Sequence, residues 1–135
     1  MEGKAMRYMF LAVLAGPALA QSAPEGPAQA VIAQQIEAFQ ADDFATAFGF
    51  ASPMIQGIFG SPERFGAMVK GGYPMVWRPG EVTYLRAEPF GAGLQQMVMI
   101  KDEGGRLHFL RYEMIETAGG WLINGVQFVG TQEGT

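Results

Sequence analysis

The residues able to do chemistry in this chain are few, and none of them is sulfur-based in the usual sense. Cysteine is absent and His108 is the single histidine. A zinc site of thiolates and imidazoles is therefore ruled out, because such a site takes three or four of those ligands. Carboxylates fall in adjacent pairs, Asp42-Asp43 and Asp102-Glu103. The first pair precedes an apolar helical run and the second opens a glycine-bearing turn, so capping and solvation account for both. Met97 and Met99 offer thioethers soft enough for copper, but two methionines on one strand face serve packing equally well. No metal and no cofactor are expected.

Nucleophilic catalysis has little material. Ser22 falls in a Pro- and Gly-containing linker, whereas Ser52 and Ser61 each precede a proline and read as helix caps. Acid–base catalysis has more: His108 and Tyr112 share a strand face by alternation, and Asp43 could lie near the mouth of a pocket. Asn124 reads either as an oxyanion-type donor or, with Gly125, as a bulge in a strand. The most unusual stretch is Gly72-Tyr73-Pro74-Met75-Val76-Trp77-Arg78-Pro79, two aromatics and a cation between prolines. Aromatic concavities with a few polar groups are the common make-up of small-molecule sites. The ligand-binding candidates are therefore Tyr73, Trp77, Arg78, His108 and Tyr112, with no residue assigned to catalysis. In the competing reading Tyr73 and Trp77 plug an open end of the fold and Arg78 snorkels over them.

These residues need elements to hold them. Ile32, Ile36 and Phe39, with Ala28 one turn earlier, mark a first amphipathic helix starting near Pro27. Asp42 and Asp43 precede a second through Phe44, Ala47 and Phe48. Ser52-Pro53 restarts the chain as far as Phe59, and Ser61-Pro62-Glu63 opens a helix ending at Gly71-Gly72. The period then changes to two. Strands are expected over 81–88, 95–101, 106–115 and 121–129, joined by short glycine-bearing turns, which makes an antiparallel meander. Helices first and strands after is an α+β order. Val98 and Ile100 alternate with Met97 and Met99, and Leu110, Tyr112 and Met114 with Leu107, Phe109 and Ile115. Both sheet faces are thus apolar, so helices should cover one and a second copy of the chain the other.

The chain carries 135 residues, 13 acids, 9 bases and 49% hydrophobic residues. That is one compact domain, and too apolar to be disordered. Beyond Arg7 the bases are scattered from Arg64 to Arg111 without a cluster, which argues against nucleic acid and an anionic membrane as partners. Lys4 and Arg7, the apolar run from Tyr8 to Ala15, and Ala18-Leu19-Ala20 read as an export signal cleaved before Gln21. The run is too short to span a bilayer. The expected organisation is a signal peptide at 1–20, a linker at 21–27, one α+β domain at 28–130 and a flexible tail at 131–135. The mature protein would be periplasmic or secreted.

The segment from Ile36 to Phe48, Ser52-Pro53, Tyr73-Pro74 and Trp121-Leu122-Ile123-Asn124-Gly125 resembles the bacterial family called domain of unknown function 4864. More distantly, a helix–Asp–helix opening and a last strand starting with Trp resemble the nuclear-transport-factor-like, or cystatin-like, cone fold. That resemblance implies a curved four-stranded antiparallel sheet wrapped on the first helix, and dimerisation through the sheet. It leaves function open between three readings. One is a non-catalytic module, homodimeric, binding a small apolar or amphipathic ligand. Another is a cofactor-independent acid–base enzyme using His108 or Asp43, and the third is a structural homodimer with a filled cone.

Overall fold

The computed structural model describes Ala20, Gln21 and residues 24–132. Residues 1–19, where the sequence places most of the export signal, lie outside the described residues. The first helix, α1, spans Pro27–Gln40 and buries Ala28, Ile32, Gln35, Ile36 and Phe39 on one side. Helix α2, Phe44–Gly49, starts at Asp43, whose carboxylate accepts from the Thr46 amide. Helices α3, Pro53–Phe59, and α4, Pro62–Gly72, both open on Ser-Pro. Ser52 Oγ accepts from the Ile55 N–H and Ser61 Oγ from the Arg64 N–H, so both serines are the caps their positions predict. The stretch from Gly72 to Pro79 contains one helical turn, α5, Pro74–Trp77. Pro74 sits in its first turn, where a missing amide donor costs nothing.

The sheet runs in the order β1-β2-β3-β4-β5. Strands β2 (Pro79–Phe90), β3 (Gly93–Asp102), β4 (Leu107–Thr117) and β5 (Gly120–Gln132) form the expected antiparallel meander. Strand β1 is two residues, Ala20–Gln21, pairing in parallel with Glu81 and Val82 at the β2 edge. Strand β5 reaches further than the sequence suggests, because Thr131 and Gln132 pair with His108 and Leu107. The fold is α+β, with helices packed on an open sheet. Among the described residues no helix is long and apolar enough to cross a membrane.

Register decides which face each side chain joins. Val82, Ile100 and His108 align across three strands, as do Tyr84, Val98 and Leu110, and Gln96 lies opposite Tyr112. This row faces the helices, and Val82, Val98, Ile100, Leu110 and Tyr112 are fully buried there with Ile32 and Ile36 of α1. Each such aliphatic side chain contributes about 1.5–3 kcal/mol by leaving water. Met97 aligns with Arg111 and Met99 with Phe109 on the opposite face, where they are half-buried. Both faces of the sheet are thus apolar, and helices cover one.

The meander is bent by irregularities. Register slips in β2 between Tyr84 and Ala87, and in β5 opposite Phe109–Leu110 and Glu113–Met114. Each slip frees backbone groups that the ladder no longer pairs. In β2 the remedy is Gln96, a fully buried polar side chain whose amide donates to the carbonyls of Leu85 and Arg86 at 3.0 and 3.3 Å. Its oxygen accepts from Gln29 Nε2 of α1 at 3.0 Å, so one side chain joins bulge, strand and helix. In β5, Asn124 is the extra residue: Gly125 opposes Glu113 and Ile123 opposes Met114. Ser52 Oγ donates to Asn124 Oδ1 at 2.7 Å, which fastens the α2–α3 junction to that bulge. Gly93 is required by space, since a Cβ there would lie 1.9 Å from the Met114 carbonyl oxygen.

Replacing Gln96 with Leu keeps the volume but orphans the bulge carbonyls. The expected loss is about 2–4 kcal/mol of unfolding free energy in urea titrations. Gln95→Leu, one residue earlier and on the other face, should cost under about 1 kcal/mol.

Candidate functional site

A cavity of about 220 Å³ lies where α1, α3 and α4 meet β4 and β5. Its walls are mostly apolar, with Phe39, Ile55, Phe59, Val69 and Val126 prominent, and among the described residues no charged side chain lines it. The geometry of the helices explains why the space is left. Helix α4 is drawn tightly onto α2, because Gly66 has no side chain where a Cβ would stand 2.7 Å from the Phe44 ring. Phe65 is then clamped among Phe39, Phe48 and Phe59, with ring centroids 5.8, 5.4 and 5.7 Å away. Rigid rings in tilted and edge contacts cannot flow into the remaining gap. Helix α3 buries none of its own residues and roofs the gap with Ile55 and Phe59.

Three polar side chains reach the cavity. Gln35, on the buried stripe of α1, donates to the Ala47 carbonyl at 3.0 Å. Tyr73 donates its hydroxyl to the Val126 carbonyl at 3.1 Å and stacks on Phe128, with centroids 5.2 Å apart and planes at 7°. Tyr112 is different. It is fully buried, and its hydroxyl has no hydrogen-bond partner among the described residues. Burial, and then the neighbouring Tyr84 and Tyr73, push its pKa upward, so it stays a neutral phenol.

The five residues that sequence reading proposes divide between two places. Tyr73 and Tyr112 come together on the cavity. Trp77, Arg78 and His108 line a shallower cleft of about 360 Å³ near Asp102. His108 and Tyr112 do share a strand face, but four residues of strand put them about 13 Å apart. Trp77 and Arg78 are engaged with the end of α1. Trp77 Nε1 donates to Asp42 Oδ1 at 2.8 Å, and Arg78 Nη2 donates to both Asp42 oxygens at 3.1 Å. Arg78 Nη1 donates to the Phe39 carbonyl at 3.0 Å, and the guanidinium lies 4.2 Å from the Trp77 ring centroid. The guanidinium thus closes a helix C-terminus, as a cation there should.

Asp42 was legible only as one of two capping acids. It occupies the left-handed region at φ 55°, which turns its carboxylate away from α2 towards Trp77 and Arg78. The Trp77 hydrogen bond, followed by Arg78 against an opposing desolvation, holds its pKa below the usual value. Asp43 is the actual α2 cap, its pKa lowered by the Thr46 hydroxyl and then the Thr46 amide. It lies exposed, outside the cavity. His108 Nε2 meets Asp102 Oδ2 at 2.9 Å, while its Nδ1 is buried without a partner among the described residues. Asp102 Oδ1 accepts from the amides of Gly104 and Arg106, so the same carboxylate shapes the β3–β4 turn and orients the imidazole.

Sequence reading missed Gln35, Ile55, Phe59 and Val126 as cavity residues. Gln35 carried a signal, a polar residue inside the apolar stripe of Ile32, Ile36 and Phe39. Ile55 and Phe59 are spaced four apart on a short helix. Val126 had no signal of its own, because its place depends on the bulge at Asn124.

The arrangement is an α+β domain with a largely apolar, partly open cavity between its helices and its sheet. The chain belongs to the family described as Domain of unknown function (DUF4864), whose model matches residues 22–135. A comparison with curated proteins finds no match. Among solved structures, the chain is similar to the solution structure of RPA3114, a SEC-C motif containing protein from Rhodopseudomonas palustris. The TM-score is 0.54 at 16% identity, covering 76% of this chain and 78% of that one. At that identity the likeness speaks for the fold alone.

The Asp102 cluster gives a pH prediction. Its pKa is lowered from 3.8, first by the His108 hydrogen bond and then by the Arg106 amide. A depressed carboxylate pKa contributes stability that is present above the unfolded value and lost as pH falls through the folded one. Urea unfolding of wild type and Asp102→Asn should therefore differ most at neutral pH. The gap should close below about pH 4.

Proposed function

We propose that this protein is an exported, non-catalytic binding module that holds a small, largely apolar molecule in the cavity between its helices and its sheet. The carrying observation is the cavity itself, about 220 Å³ with no charged wall. An apolar cavity of about 150 Å³ is enough to take up benzene. This space suits a molecule of one ring with a short substituent, or a short branched chain. The cavity also weighs against a filled interior.

The acid–base alternative is weaker. Asp43 and His108 stand outside the cavity, and Tyr112 is held in its protonated form, which makes it a donor and a poor base. Export is supported by Lys4, Arg7, the apolar run and Ala18-Leu19-Ala20. Homodimerisation is supported by the half-buried apolar face carrying Met97, Met99 and Phe109, opposite the face that the helices among the described residues cover.

Ethylbenzene added to the full chain should give saturable shifts of methyl resonances at Ile55, Val69 and Val126. Filling the space from two different elements, by Val69→Phe or by Ala51→Leu, should abolish that response while the fold persists. Absence of any saturable shift in wild type would remove the reading. For association, sedimentation should show a dimer, and Phe109→Lys should shift it to monomer with little change in thermal midpoint. A wild-type monomer at high micromolar concentration would refute the dimer. For export, intact mass of the protein from a fractionated native host should begin at Gln21; a full-length chain in the cytoplasm would refute it.

A further inference from the structure

The exposed lining of the cavity lies on one side. Its half-buried side chains are Ile55 and Phe59 of α3, Met68 and Tyr73 towards the end of α4, and Val126 of β5. The lining residues contributed by α1, α5 and β4 are buried. The way in is therefore bounded by α3, the end of α4 and β5.

These borders are fastened unequally. Helix α3 is pinned at its start, where the Ser52 amide donates to the Ile123 carbonyl at 2.8 Å and the Ile123 amide to the Phe50 carbonyl at 2.9 Å. Gln56 Nε2 then donates to the Phe48 and Ala51 carbonyls at 2.9 and 3.2 Å, tying the middle of α3 back towards α2. Helix α4 is held on α2 by the close approach at Gly66 and by the Phe48–Phe65 ring contact. Between the end of α4 and β5, a single hydrogen bond crosses among the described residues, from the Tyr73 hydroxyl to the Val126 carbonyl. The other hold there is the stack of Tyr73 on Phe128, whose side of the pair is 46% exposed. Water takes over groups freed at such a position, so both contacts are cheap to break. Rotation of the one Tyr73 side chain undoes them together and leaves the helices and strands in place.

Resting on the binding reading above, we infer that Tyr73 is the gate of the cavity. The ligand enters and leaves between the end of α4 and β5, when the Tyr73 ring leaves Phe128 and its hydroxyl releases the Val126 carbonyl. Such a gate acts on rates. Entry and exit both pass through the open form, so loosening the gate speeds both and leaves affinity nearly unchanged.

The test follows ethylbenzene exchange on the full chain through the methyl resonances of Ile55, Val69 and Val126. Tyr73→Phe keeps the ring and removes the hydrogen bond, whereas Phe128→Ala removes the stack at an exposed position. Each should raise the association and dissociation rate constants together, by about tenfold for Tyr73→Phe, as one hydrogen bond allows. Kd should stay within about twofold of wild type. Gln56→Ala, which frees α3 instead, should leave both rates as they are. Faster dissociation with unchanged association in the Tyr73 and Phe128 variants would overturn the gate, since a mere wall behaves so. Acceleration by Gln56→Ala alone would also overturn it, placing the entrance under α3. Unchanged rates in Tyr73→Phe and Phe128→Ala, with ethylbenzene still bound, would overturn the gate and leave the cavity reading intact. Failure of ethylbenzene to bind wild type would remove both. Should Tyr73→Phe fold poorly, Phe128→Ala decides the matter by the same two rates.

Discussion

The structure depends on one contact, the apolar stripe of α1 buried in one cluster with the inner face of the sheet. Ile32 and Ile36 are fully excluded from water there with Val98, Ile100, Leu110 and Tyr112. The remaining elements are arranged to let that contact form. The meander bends at its bulges, Gln96 ties the β2 bulge to α1 through Gln29, and Ser52 ties the α2–α3 junction to the β5 bulge. A straight sheet would lose those two ties. Polar residues thus set the curvature on which the hydrophobic contact relies.

The cavity is a consequence of the same design. The clamped Phe65 and the glycine contact at Gly66 fix how close α4 can come to α2, and the bulge at Asn124 fixes where Val126 stands. Helix α3, short and without a buried residue, spans what is left.

The second cluster has a different character. Trp77, Arg78 and Asp42 close the C-terminus of α1, and His108 with Asp102 closes the β3–β4 turn. Both are places where the chain reverses and leaves carbonyls or amides without ladder partners. Arg78 satisfies the Phe39 carbonyl at one end, and Asp102 the amides of Gly104 and Arg106 at the other. Unusual residue types drew attention to this stretch, and their chemistry turns out to serve the ends of elements more than a concavity.

The sequence by itself determined the element order, the caps and the faces of the strands. Ser-Pro twice, Asp43 before Phe44 and the glycine-bearing turns are local signals, read within a few residues of where they act. Alternation placed His108, Tyr112 and Leu110 on one face because the strand period is strictly two. Family membership was legible in the same segments. Only the tertiary structure decided that Tyr73 and Tyr112 share a cavity while Trp77, Arg78 and His108 do not. It also decided that Asp42 turns back to Trp77 and that Gln35 and Val126 line the site. Those outcomes rest on bulges, on helix approach distances and on hydrogen bonds spanning tens of residues. A bulge moves every later side chain of its strand, and no local pattern around Asn124 or Gln96 records how far.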